Sequence, residues 1–221
     1  MCSNPVRNRI FICTGRSATM GAMSRHFADI AYSPTVRDEQ RRRLGAPLPT
    51  PPGSVEALLG PREQAWIAQR DTAFLATVNA DGWPHVQHRG GPPGFLRVPD
   101  GRTLALADLG GNRQFVSVGN LRDNDRVALL LLDPAEQRRL KLLGRMQVLE
   151  ADALAAGQPE GAPQATTAFA PLSFPTQVAL IELARQPGAE RVLLLQVAAF
   201  DWNCSRHITP RWTEQEWRAR S

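Results

Sequence analysis

Lysine is almost absent from this chain. Of 221 residues only Lys141 is a lysine, so the formal net charge of +5 rests on arginine. A basic balance suits anionic partners, whether nucleotide phosphates or nucleic acid. Arginine in place of lysine also follows from a GC-rich genome, so the charge carries little weight. Cysteine is scarce too: Cys2, Cys13 and Cys204 are odd in number and widely spread, with no Cys-x-x-Cys pair. That argues against a disulfide framework or a zinc site and fits a reducing cytoplasm. No apolar run approaches the ~20 residues of a membrane-spanning helix. No Gly-x-Gly-x-x-Gly opens a helix and no strand–helix–strand unit recurs, which argues against an α/β fold. The hydrophobic content of 43% in a chain of this length suffices for one sizeable globular domain.

Four stretches follow from composition. Residues 1–23 read as a disordered arm, or as a stretch upstream of a true start at Met20 or Met23. Arg7, Arg9 and Arg16 are unbalanced by any acid there, and Ile10–Cys13 is too short for a signal-peptide core. Residues 24–60 form a helical and extended lead-in, residues 61–213 the main domain and residues 214–221 a tail. In the lead-in, Arg25–Tyr32 suits a short helix that stops before Pro34. Val36–Leu44 sets Arg37, Arg41, Arg42 and Arg43 against Asp38 and Glu39, the pattern of a solvated helix face. Pro47, Pro49, Pro51 and Pro52 make a stiff connector. Val55–Arg70 is expected to be helical, broken at Gly60-Pro61.

From Thr72 the period changes to two. Strands are expected at Ala73–Val78, Trp83–His88, Phe95–Val98, Thr103–Ala107, Arg126–Leu132, Arg138–Glu150 and Arg191–Trp202. Asn79-Ala-Asp-Gly82 supplies a hairpin turn. Asn112–Leu121 suits a helix with Phe115, Val116 and Val118 inward, and Val178–Ala184 suits another. Residues 151–188 are otherwise ambiguous. Six or so strands joined mostly by tight turns describe a mainly β chain with flanking helices, a small antiparallel barrel.

Two glycine–arginine turns carry the chemistry. Gln87-His-Arg-Gly-Gly-Pro-Pro-Gly-Phe95 ends a strand with Arg89 at its junction, and Gly110-Gly-Asn-Arg-Gln114 ends another. Glycine lets a backbone approach a bound group, and arginine offers a planar fork to a phosphate. One anion gripped from two sides is the expectation, with the phosphate of flavin mononucleotide (FMN) the leading candidate.

Taken in order, Phe-Leu-Ala-Thr-Val, Gln-His-Arg-Gly-Gly-Pro-Pro-Gly-Phe, Ala-Asp-Leu-Gly-Gly-Asn-Arg-Gln-Phe-Val-Ser-Val-Gly-Asn-Leu, Arg-Arg-Leu-Lys-Leu-Leu-Gly-Arg and Ala-Phe-Asp-Trp-Asn-Cys-Ser-Arg-His-Ile-Thr-Pro-Arg resemble the pyridoxamine 5′-phosphate oxidase-like flavoproteins. The resemblance covers roughly Pro61–Glu150 and Val197–Thr213. It implies a six-stranded antiparallel FMN-binding split barrel. It also implies cofactor contacts from Gln87, His88, Arg89 and Gly90, from the backbone of Leu106, Ala107 and Asp108, and from Asn112, Arg113 and Gln114. Gln114 stands where the family has a lysine, so Arg89 is expected to matter more. The resemblance further implies a homodimer with the cofactor in its interface, to which Arg139 and Lys141 of the second subunit contribute, while Trp202, Asn203, Arg206 and His207 close over the flavin. An exposed strand face decorated with charge is the plainer account of Arg139 and Lys141. The chain ends Thr-Pro-Arg-Trp-Thr rather than in the substrate-gripping Arg-Leu-x-Pro of the vitamin B6 oxidases, so the general flavoprotein relatives are the nearer likeness.

The functional expectation is an FMN-dependent oxidoreductase acting on a small organic substrate, with His207 the candidate catalytic residue and His88 given a packing role. The alternative is a flavin-, deazaflavin- or haem-binding module without turnover. A nucleic-acid-binding protein built on Arg37–Arg43 ranks last, since no aromatics interleave with the arginines.

Overall fold

The computed structural model describes residues 25–50, 59–156, 172–203 and 206–219. The basic arm, the piece of the expected helix before Leu59, Pro51 and Pro52, residues 157–171 of the ambiguous 151–188 stretch and all three cysteines lie outside them. Three helices lead in: α1 (Arg25–Ala31), α2 (Pro34–Leu44) and α3 (Pro61–Ala68). Ser33 caps α2, and no residue of α2 is buried, as its run of ion-paired arginines requires.

Six strands follow: β1 (Thr72–Val78), β2 (Pro84–Gly90), β3 (Thr103–Leu109), β4 (Arg126–Asp133), β5 (Arg138–Glu150) and β6 (Ala189–Asn203). Helix α4 (Val116–Asp123) separates β3 from β4. Two helices, α5 (Ala151–Ala155) and α6 (Phe174–Ala184), separate β5 from β6, and α7 (Glu214–Arg218) ends the described chain. All pairings are antiparallel, in the order β2-β1-β4-β5-β6-β3. The sheet curls so that its two edge strands, β2 and β3, come together through an ion pair between Arg89 and Asp108. The result is the half-open barrel expected, split at that seam.

Alternation fills the inside. Ala73 and Leu75 of β1, Leu129 and Leu131 of β4, Leu140 and Leu142 of β5, and Leu193 and Leu195 of β6 form one core with Trp66 and Ile67 of α3. A second cluster lies under α6, where Leu180 and Leu183 meet Ala105, Val192 and Leu194. Gly144 sits at the irregularity between β5 and β6, where a Cβ would run into the carbonyl oxygen of Gln196. Only glycine fits that approach.

Two expectations fail locally. Phe95–Val98 is not a strand but a turn with one bridge, Arg97 to Ala105, because Phe95 N–H is taken by Pro92 O and Gly94 is left-handed. Helix α4 begins at Val116 rather than Asn112, since Arg113 and Phe115 both have positive φ. The later start turns its faces: Ser117, Asn120 and Leu121 are buried, while Phe115 and Val116 are exposed.

Candidate functional site: a cavity at the split edge

The seam between β2 and β3 opens into a cavity of about 250 Å³ walled by both strands, the approach to α4 and the start of β6. Alternation along β2 turns His85, Gln87 and Arg89 into it and leaves Val86 and His88 on the opposite face. From β3 only Asp108 and Leu109 reach it. The segment Gly111–Val118 makes the floor, and Glu190 and Arg191 close the far side.

One buried carboxylate organises the charges. Asp108 is paired with Arg89 through one oxygen and accepts from Arg191 Nε at 2.8 Å through the other. Arg191 Nη2 donates to Glu190 at 2.8 Å, and its guanidinium lies 5.2 Å from the centre of the Phe115 ring. Burial works against the charge of Arg191, but the bonds and charges of Asp108 and Glu190 outweigh it and raise its pKa above the ordinary arginine value. Arg89 also reaches Gln87 Oε1 at 3.3 Å, which in turn accepts from Ser117 Oγ at 2.8 Å. Asn120 donates to Thr77 at 3.0 Å, so two side-chain bonds seat α4 on β1 and β2.

Three features suit an anion. The start of α4 lines the cavity and has no side-chain cap, which leaves its first N–H groups without a side-chain acceptor at the positive end of the helix dipole. Arg89 Nε is buried with no hydrogen-bond partner, which is costly unless a ligand accepts from it. The exposed Arg113 stands at the rim in a left-handed conformation. The phosphate of a flavin nucleotide fits this donor set.

The structure thus brings together Gln87, Arg89, Asp108, Asn112, Arg113 and Gln114. It leaves out several others. His88 packs edge-on against Phe74, with ring centres 5.9 Å apart. A Cβ at Gly90 would meet the His88 ring and one at Gly91 the Phe95 side chain, so these glycines make room for their own chain. Leu106 belongs to the main core and Ala107 packs on the second cluster. Arg139 pairs with Asn203, and Lys141 with Asp201, across β5 and β6, outside the cavity walls. Lys141 Nζ meets Asp201 at 3.1 Å, and Trp202 donates to Glu63 at 2.8 Å and stacks edge-on with Trp66. His207 is exposed on a turn at φ 65°. Sequence reasoning missed His85, Ser117, Glu190 and Arg191. Alternation along β2 would have found His85. The other three needed the later start of α4 and the β3–β6 register, which sets Asp108 opposite Arg191.

Several solved structures are similar to parts of this chain at low identity. A Lactobacillus delbrueckii protein described provisionally as a pyridoxamine 5′-phosphate oxidase is 20% identical, covering 65% of this chain and 93% of its own, with a TM-score of 0.44. An F420 reductase is 19% identical over 62% and 94%, with a TM-score of 0.38. A haem storage protein of Vibrio cholerae is 17% identical over 63% and 90%, with a TM-score of 0.35. Comparison with curated proteins returned no match. Residues 59–170, half of the chain, match the family model described as pyridoxamine 5′-phosphate oxidase, and that span holds both arginine-bearing turns and five of the six strands. The chain belongs to the pyridoxamine 5′-phosphate oxidase-like family.

Proposed function

We propose that this protein binds FMN and works as a homodimeric oxidoreductase on a small organic substrate. The observation that carries the reading is the cavity where Arg89, with its unpartnered Nε, faces the uncapped start of α4. In this reading Arg89 and Arg113 hold the phosphate, and Ser117 and Gln87 fix the walls around it. When bound, the flavin supplies hydride transfer. The chain's own residues bind and orient it.

Size supports a second subunit. Whole small-molecule sites run to about 300–1,000 Å³, so a cavity of about 250 Å³ holds the phosphate end and leaves the ring system outside it. The outer face of the sheet is suited to cover that ring. Phe74, Ala76 and Val78 of β1 line up with Ala128, Leu130 and Leu132 of β4 as an apolar, half-buried surface, extended by Val86 at 63% exposure. Helix α1 packs on β6 and reaches β5, where Lys141 Nζ lies 4.6 Å from the centre of the Phe27 ring. Arg139 and Lys141 lie on that face, where a partner's flavin would meet them.

Mass spectrometry of the ligand released from purified protein tests the cofactor, and light scattering tests the assembly. FMN in a dimer is the expected result. A flavin-free monomer that takes up no added FMN contradicts it. Bleaching of the bound flavin by NADH or NADPH, or peroxide release with a substrate, separates turnover from simple carriage.

A further inference from the structure

We infer that Arg191 is a further ligand-binding residue of this cavity, and that its guanidinium recognises the phosphate from the side opposite Arg89. The inference rests on the flavin reading above. Arg191 comes from β6, outside the segment 59–170 that matches the family. Register places it across from Asp108, so both guanidiniums converge on one carboxylate. Nε serves Asp108 and Nη2 serves Glu190, which leaves Nη1 for a ligand. The fork cannot turn away, because two carboxylates fix its plane and the Phe115 ring lies 5.2 Å away. A fixed, charged fork is the arrangement that recognises a phosphate edge-on.

Charge counting points the same way. The walls carry Arg89, Arg113 and Arg191 against Asp108 and Glu190, a balance of three minus two, or +1. Without Arg191 that balance falls to zero, and an anion would face as many carboxylates as cations. Gly110 contributes by its size: a Cβ there would sit 2.8 Å from Glu190 Oε1, so glycine leaves the acid room to brace Arg191.

The test compares FMN with riboflavin, which lacks only the phosphate, by fluorescence titration of wild type and Arg191→Gln. A phosphate contact predicts FMN binding weakened at least tenfold, with riboflavin binding changed less than twofold. Equal weakening of both assigns Arg191 a merely structural role and overturns the inference. No weakening of either overturns it while leaving the flavin reading intact. A wild type that binds neither flavin overturns both. If Arg191→Gln does not fold, Arg191→Lys carries the same comparison. Lysine keeps the charge but lacks the planar fork that bonds Asp108 and Glu190 while still facing a phosphate, so FMN should weaken severalfold with riboflavin unchanged. Unchanged FMN affinity in that variant refutes the inference.

Discussion

At the seam between β2 and β3, Arg89 and Arg191 are held edge-on by the carboxylate of Asp108. At the start of β5, Arg138 lies over the edge-to-face indole pair, 4.8 Å from the centre of Trp202 and 5.9 Å from that of Trp66. Arg62 covers the Trp202 ring as well, at 4.9 Å, and Arg70 lies 4.4 Å from the Trp66 ring while pairing with Asp133. The same side chain is used in two ways. A guanidinium pinned by a carboxylate keeps donors pointed outward and a fixed direction, which suits recognition. One stacked on an indole spends its face as cover for the core, which suits stability. Among the described residues the positive charge therefore does not act as one patch, and the arginines that line the cavity are Arg89, Arg113 and Arg191.

The largest effect should break both regions at once. Gly144→Ala forces the β5–β6 irregularity apart and shifts β6, which carries Arg191 and Trp202 alike. A loss of about 3 kcal/mol or more is expected by urea denaturation. Next, Arg89→Ala and Arg113→Ala should each cost about 1.5–3 kcal/mol of FMN binding, one to two decades, with the urea midpoint nearly unchanged for the exposed Arg113. Isothermal titration reads this directly, and FMN held at wild-type strength by the double variant would erase the distinction between the regions. Trp202→Phe should act the other way. It removes the bond to Glu63 and weakens the arginine stack, costing about 1–2 kcal/mol of stability. The preference for FMN over riboflavin should stay as it is.

The smallest effect concerns Asp100, at the turn before β3. Burial opposes its charge, yet bonds from Thr176, Ser173, Thr103 and the Arg102 N–H lower its pKa from the ordinary 3.8 to about 2. A carboxylate depressed in the folded state stabilises fully above its unfolded pKa and loses that contribution as pH falls through the folded one. Stability should therefore decline between about pH 4 and pH 2. Asp100→Asn should flatten that part of the curve while lowering stability at neutral pH, and an unchanged acid limb would contradict the assignment.

Much of this was legible in the residues. Alternation located the strands, and Arg138–Glu150 forms β5 over the span expected. Arg89 and Arg113, from the two arginine turns, line one cavity. What stayed hidden depends on contacts distant in sequence. Phe115 reads as an inward residue until its positive φ delays α4 and turns it to the cavity rim. Arg191 reads as the start of a strand until β6 pairs with β3 and sets it against Asp108. The glycines at 90 and 91 read as room for a ligand, whereas His88 and Phe95 occupy that room. Local pattern does not report what a neighbouring strand will bring.

Titration of the wild-type protein with FMN and with riboflavin decides whether the split edge seats an anion. FMN should bind about a thousandfold more tightly, a difference of about 4 kcal/mol supplied by the three arginine contacts to the phosphate. Equal affinity for the two flavins would contradict it.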